Sequence, residues 1–194
     1  MNQREKAKQE TKLKILRAAG EVFLSQGINR TTTEQLARKC SIAHGTIFVH
    51  FKNKDELVCE VFISLLRVSA EQLEDLYDKG SSFENLIDTF FEYIQQNEKM
   101  FDIYFCELTH LSVPVKRSVH SFELALRNHF YFTLKREGVN DEDIPAVLNL
   151  LFGQLLYYYT FKEVLCGNKK VIETFGPIIK KTLLQYVSKG VVKS

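Results

Sequence analysis

Apolar residues recur three and four apart along nearly the whole of this 194-residue chain, the spacing that lines one face of an α-helix. No stretch alternates apolar and polar residues between turn signals, as a half-buried strand would, and only 3 prolines and 9 glycines punctuate the pattern. The expectation is an all-α fold of about nine helices. The first covers residues 12–26, with Leu13, Leu16, Ala19, Phe23 and Leu24 as its buried stripe, Gly20 on that stripe to admit a close neighbour, and Gly27 as its stop. Two short helices follow within 32–51. A fourth opens at Asp55, an acid suited to a helix N-terminus, and runs to about Asp78 through Leu57, Val61, Phe62, Leu65, Leu66, Leu73 and Leu76. Five more fall near 83–96, 98–110, 114–137, 142–166 and 171–188, bounded mostly by Gly, Pro, Asn or Asp. The segment 142–166 is apolar nearly all round, which demands cover on more than one side: its own core and a second subunit. The last segment carries Ile172, Phe175, Ile178, Ile179, Leu183, Tyr186 and Val187 at helical spacing, and Gly176 with Pro177 should kink it or delay its start.

The pair within 32–51 carries the most chemistry. Thr32 and Gln35 fit the S/T-x-x-E/Q capping box, so a helix starts there, and Leu36, Ala37 and Cys40 give it one apolar face. Ser41 and Ile42 make a turn. A second helix follows from about Ala43, with Ile47, Phe48 and Phe51 spaced to pack inward and His44, Thr46, Val49 and His50 free to point outward. Gly45 sits early in that helix, where glycine costs ~1 kcal/mol relative to alanine, so something compensates for it. A phosphate or base edge approaching the bare backbone is one compensation, and close packing against the preceding helix is the other; the spacing does not choose between them.

Charge is distributed unevenly. Residues 1–54 hold 11 Lys and Arg against 4 acids, a net +7, whereas the whole chain is only +2, which leaves −5 on residues 55–194. A basic head on an acidic body orients toward a polyanion. The rest of the composition is ordinary for a soluble globular protein, 45% hydrophobic and 26% charged. The polar N-terminus contains no apolar signal segment and no run of ~18 apolar residues could span a bilayer, so a cytoplasmic address with no membrane is expected. Cys40, Cys59, Cys106 and Cys166 lie scattered in apolar surroundings without C-x-x-C spacing, which suits reduced thiols. The chain offers no G-x-S-x-G, H-E-x-x-H, G-x-G-x-x-G or Walker loop, so catalysis has no visible residues and no cofactor is expected.

From Thr31 to Lys54, T-T-T-E-Q-L-A-R-K-C-S-I-A-H-G-T-I-F-V-H-F-K-N-K, the chain resembles the tetracycline-repressor (TetR) family of bacterial transcriptional regulators. The resemblance covers residues 10–57 and implies a helix-turn-helix DNA-binding domain over 1–54, with the helical ligand-binding and dimerisation domain over 55–194. It implies that Thr33 donates to a DNA phosphate, that Ala43, His44, Gly45 and Thr46 face the major groove, and that His50, Lys52 and Lys54 lie near phosphates, with Thr32 at the head of the first helix. Phe48 and Val49 fall where the family commonly has a tyrosine and often a second aromatic residue. Phe48 has no hydroxyl for a phosphate, so it either packs inward or touches a sugar or thymine methyl. The resemblance further implies a homodimer held by a four-helix interface from the segments 142–166 and 171–188 of two chains. Leu151, Leu155, Tyr158, Phe175, Ile179 and Leu183 are its candidate residues. Two heads about 34–36 Å apart would then bind a palindromic double-stranded operator, most often to repress.

The body is rich in rings. Phe101, Phe105, Phe122, Phe152 and Tyr159 are candidate contacts for a small, largely apolar effector, which would reorient the fourth helix and release DNA; the alternative is that the rings are simply core. A regulator answering to a partner protein instead would carry the same basic head. Asp102, Cys106 and His110 lie four apart and could present metal ligands together, although a core cysteine flanked by solvent-facing His and carboxylates is the favoured reading and no metal is expected. Residues 1–12, with Arg4, Lys6, Lys8 and Lys12, either reach a minor groove or form a solvated disordered tail, the latter being the expectation.

Overall fold

The computed structural model describes residues 2–64, 80–107 and 110–190, apart from the side chains at 118, 122, 189 and 190. Among the described residues the architecture is all-helical, with α1 (Gln3–Gln26), α2 (Thr33–Lys39), α3 (His44–His50), α4 over 54–64, α5 (Phe83–Gln96), α6 (Glu98–Glu107), α7 (Val113–Arg136), α8 (Ile144–Thr160), α9 (Lys162–Leu165) and α10 (Val171–Gly190). The expected residues Leu65, Leu66, Leu73 and Leu76 of the fourth helix lie outside the described residues. By compactness the chain divides into two units, Met1–Ser69 with Glu107–Ser121, and Ala70–Cys106 with Phe122–Ser194. A boundary drawn at 54/55 therefore falls inside the first unit, which also draws in the stretch 107–121.

In the first unit α1 begins at Gln3 rather than residue 12. Asn2 caps it, its side chain accepting from the Glu5 amide while the Glu5 carboxylate accepts from the Asn2 amide, so the basic arm is helical and not a free tail. Its inner face is Ile15, Ala18, Ala19 and Phe23, while Leu13 turns out to solvent. A Cβ built on Gly20 would sit 3.8 Å from Val61 of α4, an ordinary contact, so an alanine would also fit there. Leu36, Ala37 and Cys40 of α2, Ile47 of α3, Phe51, and Leu57, Val58, Val61 and Phe62 of α4 complete this core with Leu111, Val115 and Val119. Burying these side chains is what stabilises so small a helical unit, since the isolated short helices are marginal.

The second unit is built around stacked and edge-to-face rings. Phe90 of α5 meets Phe130 of α7 at 5.4 Å and Phe152 of α8 at 6.1 Å, and the chain of rings continues through Phe101 and Phe105 to Tyr159. The helix expected over 142–166 breaks at Phe161 into α8 and the single turn α9, with Gly167 at φ +56 beyond it. In α10 the Gly176–Pro177 pair lies inside a continuous helix. Pro177 gives up one backbone donor, and a Cβ at Gly176 would lie 3.1 Å from Ile172 of the same helix and 3.4 Å from the Phe91 ring of α5. Lys180 pins the same helix pair, its ammonium 2.7–2.8 Å from the Asp88 carboxylate oxygens. No helix among the described residues is long and apolar enough to cross a membrane.

Candidate nucleic-acid interface

The first unit presents α3 through two local devices. The capping box forms as the sequence requires: the Gln35 amide donates to Thr32 Oγ1 at 3.2 Å and the Thr32 amide to Gln35 Oε1 at 2.9 Å, which fixes the start of α2. Beyond α2, Ser41 takes a left-handed φ of 52° and redirects the chain, so that α3 starts at His44 with Ala43 extended before it. Only Ile47 of α3 is fully buried.

The outward face differs from the expected one at Phe48. Phe48 is 45% exposed and its ring packs at a steep angle to the His44 imidazole, centroids 5.1 Å apart, because Ile47 and Phe51 already fill the inner side. Val49 is 66% exposed beside it. Two bulky apolar side chains held in water on one short helix are the kind of surface that meets thymine methyls or sugars. Ala43, His44, Gly45 and Lys52 are exposed as well, and Thr33, Thr46 and His50 are half-buried. A Cβ built on Gly45 meets nothing within 4 Å, so packing within the chain does not explain that glycine.

Thr33 and His44 are joined across the turn. Thr33 Oγ1 lies 2.9 Å from His44 Nε2, and a Glu34 carboxylate oxygen lies 3.3 Å from the same nitrogen. The Glu34 carboxyl is held below its usual range, first by its own backbone amide and then by the Thr32 hydroxyl, with His44 and Arg38 adding to the effect. Glu34 has no counterpart among the expected site residues. It is the second residue of α2 and His44 the first of α3, and nothing in their ten-residue separation announces that they meet.

Two of the expected contact residues have partners within the chain. Thr32 is taken up by capping, its oxygen accepting from Gln35 while its hydroxyl serves Glu34. Lys54 is drawn inward: its ammonium donates to the Ile28 carbonyl at 2.7 Å, and burial holds it below the usual lysine range against the pull of Glu107 and Asp55. His50 Nδ1 is enclosed without a protein partner, and burial first, then the charges of Lys8 and Lys12, lower its proton affinity. The other acid missed by pattern is Glu107, whose carboxylate accepts from the Ile28 amide at 3.0 Å and the Asn29 amide at 3.2 Å. With Lys54 on the carbonyl, the turn between α1 and α2 is held from both sides.

In the second unit, Phe101, Phe105, Phe152 and Tyr159 are all buried in contact with one another or with their ring neighbours, while the side chain of Phe122 lies outside the described residues. Arg127 lies over the Phe152 ring at 4.4 Å and bonds Glu123 at 2.7 Å and Asn149 at 3.1 Å. Leu151, Leu155, Ile179 and Leu183 are buried within their own protomer and therefore form core, not contacts to another chain; Tyr158 and Phe175 stack on each other at 3.9 Å. The large apolar residues left outward are Leu156, Tyr157, Phe161, Val164, Leu165, Ile178 and Tyr186. The spaced Asp102, Cys106 and His110 do not assemble: Asp102 bonds Lys162 at 2.6 Å, Cys106 donates to the Tyr159 carbonyl, and no metal-holding cluster occurs among the described residues.

A capped helix, a tight turn and a short exposed helix on a basic unit define a helix-turn-helix DNA-binding protein. Residues 15–61 match the family model of bacterial regulatory proteins of the tetR family, so the chain carries the DNA-binding region of that family, and it is a DNA-binding transcriptional regulator, not an enzyme. It is similar to the fatty acid metabolism regulator protein of Bacillus subtilis (strain 168), 22% identical over 162 residues that span 81% of this chain and 83% of that one. It is also similar to the HTH-type transcriptional regulator TtgR of Pseudomonas putida, 34% identical over 80 residues, 41% of this chain and 36% of that protein. Among solved structures, the transcriptional regulator FadR from Bacillus subtilis in complex with stearoyl-CoA superposes with a TM-score of 0.71 at 17% identity, covering 90% of this chain and 98% of that one. FadR from Bacillus halodurans gives 0.69 at 20% identity, covering 89% and 94%.

Proposed function

We propose that the chain works in the cytoplasm as a homodimer that binds a palindromic operator and represses the genes beside it, and that a small molecule with a long apolar body releases it. The observation that carries the DNA-reading part is the open face of α3, where Ala43, His44, Gly45, Phe48 and Val49 stand exposed on the basic unit with Thr33, Thr46, His50 and Lys52 around them. Dimerisation is supported by the apolar side chains left outward on α8, α9 and α10, since an apolar patch that the protomer does not cover marks an interaction surface. The two-fold repeat of an operator follows from two identical heads.

For the effector, the ring cluster of Phe101, Phe105, Phe152 and Tyr159 supplies an apolar lining, and Arg127 beside Phe152 supplies a cation at its margin. That combination suits an acyl chain with an anionic head, and the similar regulators named for fatty acid metabolism and bound to stearoyl-CoA support the same class. The rings touch one another directly, so an acyl chain must part them, which favours a second reading in which a partner protein controls the regulator instead.

A mobility-shift titration at fixed salt tests both. The expected result is retention of the chain's own upstream DNA over random duplex, abolished by stearoyl-CoA and not by coenzyme A alone. Equal affinity for both duplexes removes the operator reading. Specific binding indifferent to stearoyl-CoA leaves the regulator and removes the acyl effector, because an effector and DNA that share an equilibrium must weaken each other equally.

A further inference from the structure

The imidazole at the start of α3 has two oxygens beside one of its nitrogens. Its Nε2 is hydrogen-bonded to the Thr33 hydroxyl at 2.9 Å and lies 3.3 Å from an ionised carboxylate oxygen of Glu34. A carboxylate oxygen at ion-pair distance is better met by an N–H than by a lone pair, and the Thr33 hydroxyl, the one hydrogen-bond partner of Nε2, can accept as well as donate, so in the neutral ring the proton belongs on Nε2. Thr33 then accepts that N–H, and its own hydroxyl hydrogen is left for a phosphate oxygen. In the neutral ring, Nδ1 on the opposite side is consequently an acceptor. The His44 side chain is 42% exposed and the Phe48 ring packs against it, so the imidazole is both reachable and held in orientation.

We infer that Glu34, with Thr33, is a positioning residue that decides which base His44 reads: it presents Nδ1 as an acceptor and so selects a base with an exocyclic amino group, adenine or cytosine, at one position of each operator half-site. In the major groove adenine N6 and cytosine N4 are donors, whereas guanine O6 and N7 and thymine O4 are acceptors that Nδ1 would meet unfavourably. This rests on the operator-binding function proposed above. It also gives a role to an acid on a surface that meets phosphates, where Glu34 stands 57% exposed. A negative charge there lowers affinity for every duplex alike, and the orientation of His44 offsets that loss only at the right sequence.

The test is selection from a random duplex pool at fixed salt with full-length wild type and Glu34→Gln, each shown folded by thermal melting. Glutamine keeps the shape but can meet Nε2 with either its oxygen or its NH2, so the tautomer is no longer dictated. The expected result is a loss of about fivefold in the adenine or cytosine preference at a single half-site position, the scale of one base contact, with other positions unchanged. Affinity for random duplex should tighten by about threefold, the scale of one charge several ångströms from a phosphate in water. A second readout is the imidazole nitrogen NMR spectrum of the full chain, with His44 assigned by its loss in His44→Asn. It should show Nε2 protonated in wild type and a mixture in Glu34→Gln. A guanine preference in wild type, an Nδ1–H ring, or an unchanged preference in Glu34→Gln overturns the inference. A wild type that enriches no sequence overturns the operator function and this inference with it; enrichment that survives Glu34→Gln unaltered overturns this inference alone.

Discussion

Gly45 separates folding from function within one residue. Nothing in the chain lies within 4 Å of where its Cβ would be, its backbone is helical, and glycine is the poorest helix former after proline. Alanine there should stabilise α3 by ~1 kcal/mol, raising the melting temperature of the free protein. The same methyl would stand between the helix backbone and the groove, so Gly45→Ala should bind operator DNA at least tenfold more weakly. A melt and a binding titration on one preparation check both, and a variant that gains stability while keeping full affinity would show that no DNA group approaches this backbone. Phe48 illustrates the limit of reading single residues. Its i, i+1 relation to Ile47 makes either face plausible from spacing, and the outcome is settled by Phe51, which occupies the inner volume from beyond the helix end.

Among the elements, the turn from α1 to α2 is the most tightly determined. Gly27 lies at φ +87° and ψ 162°, a region open almost only to glycine, and a methyl there would overlap the Glu107 carboxylate. Gly27→Ala should cost about 1–3 kcal/mol from the backbone conformation alone, with more from displacing Glu107, and urea unfolding measures the sum. Glu107→Ala removes the overlap but also the acceptor of the Ile28 and Asn29 amides, so if the carboxylate collides as described the double variant should cost less than the sum of the two single substitutions. Local signals make much of this legible: the Gly27 stop, the Thr32–Gln35 box and the fold class all follow from residues adjacent in sequence. What local spacing does not supply are contacts across long separations. Glu107 reaches Ile28 over 79 residues, Lys54 turns from DNA to the Ile28 carbonyl, and the break at Phe161 has no glycine or proline at it. The early start of α1 is written in Asn2 and Glu5, a capping pair obscured by the charge of the arm.

At the scale of the whole molecule, the proposed function turns on pairing. A short helix contacts only a few base pairs, so the specificity of one head is small and a second head tethered to it multiplies affinity without any new contact. The apolar excess of 142–166 and 171–188 points to a surface for pairing but not to its particular residues, because a helix that is apolar all round does not reveal which face its own core takes. Leu151, Leu155, Ile179 and Leu183 go to the core, and Leu156, Tyr157, Val164 and Ile178 remain outside. Val164, 83% exposed on α9, is the position at which a charge disturbs the protomer least. Val164→Glu together with Ile178→Glu should leave the melting of the single chain nearly unchanged, convert the scattering mass from two chains to one, and weaken operator binding about a hundredfold, the scale of lost bivalency. Phe132 provides the control, since it is also apolar and 66% exposed but sits on α7. Phe132→Glu should keep both the mass and the affinity. If the Phe132 variant separates the chains and the Val164 and Ile178 pair does not, the dimer forms through α7, and the outward face of α8 to α10 must be covered by something other than a second copy.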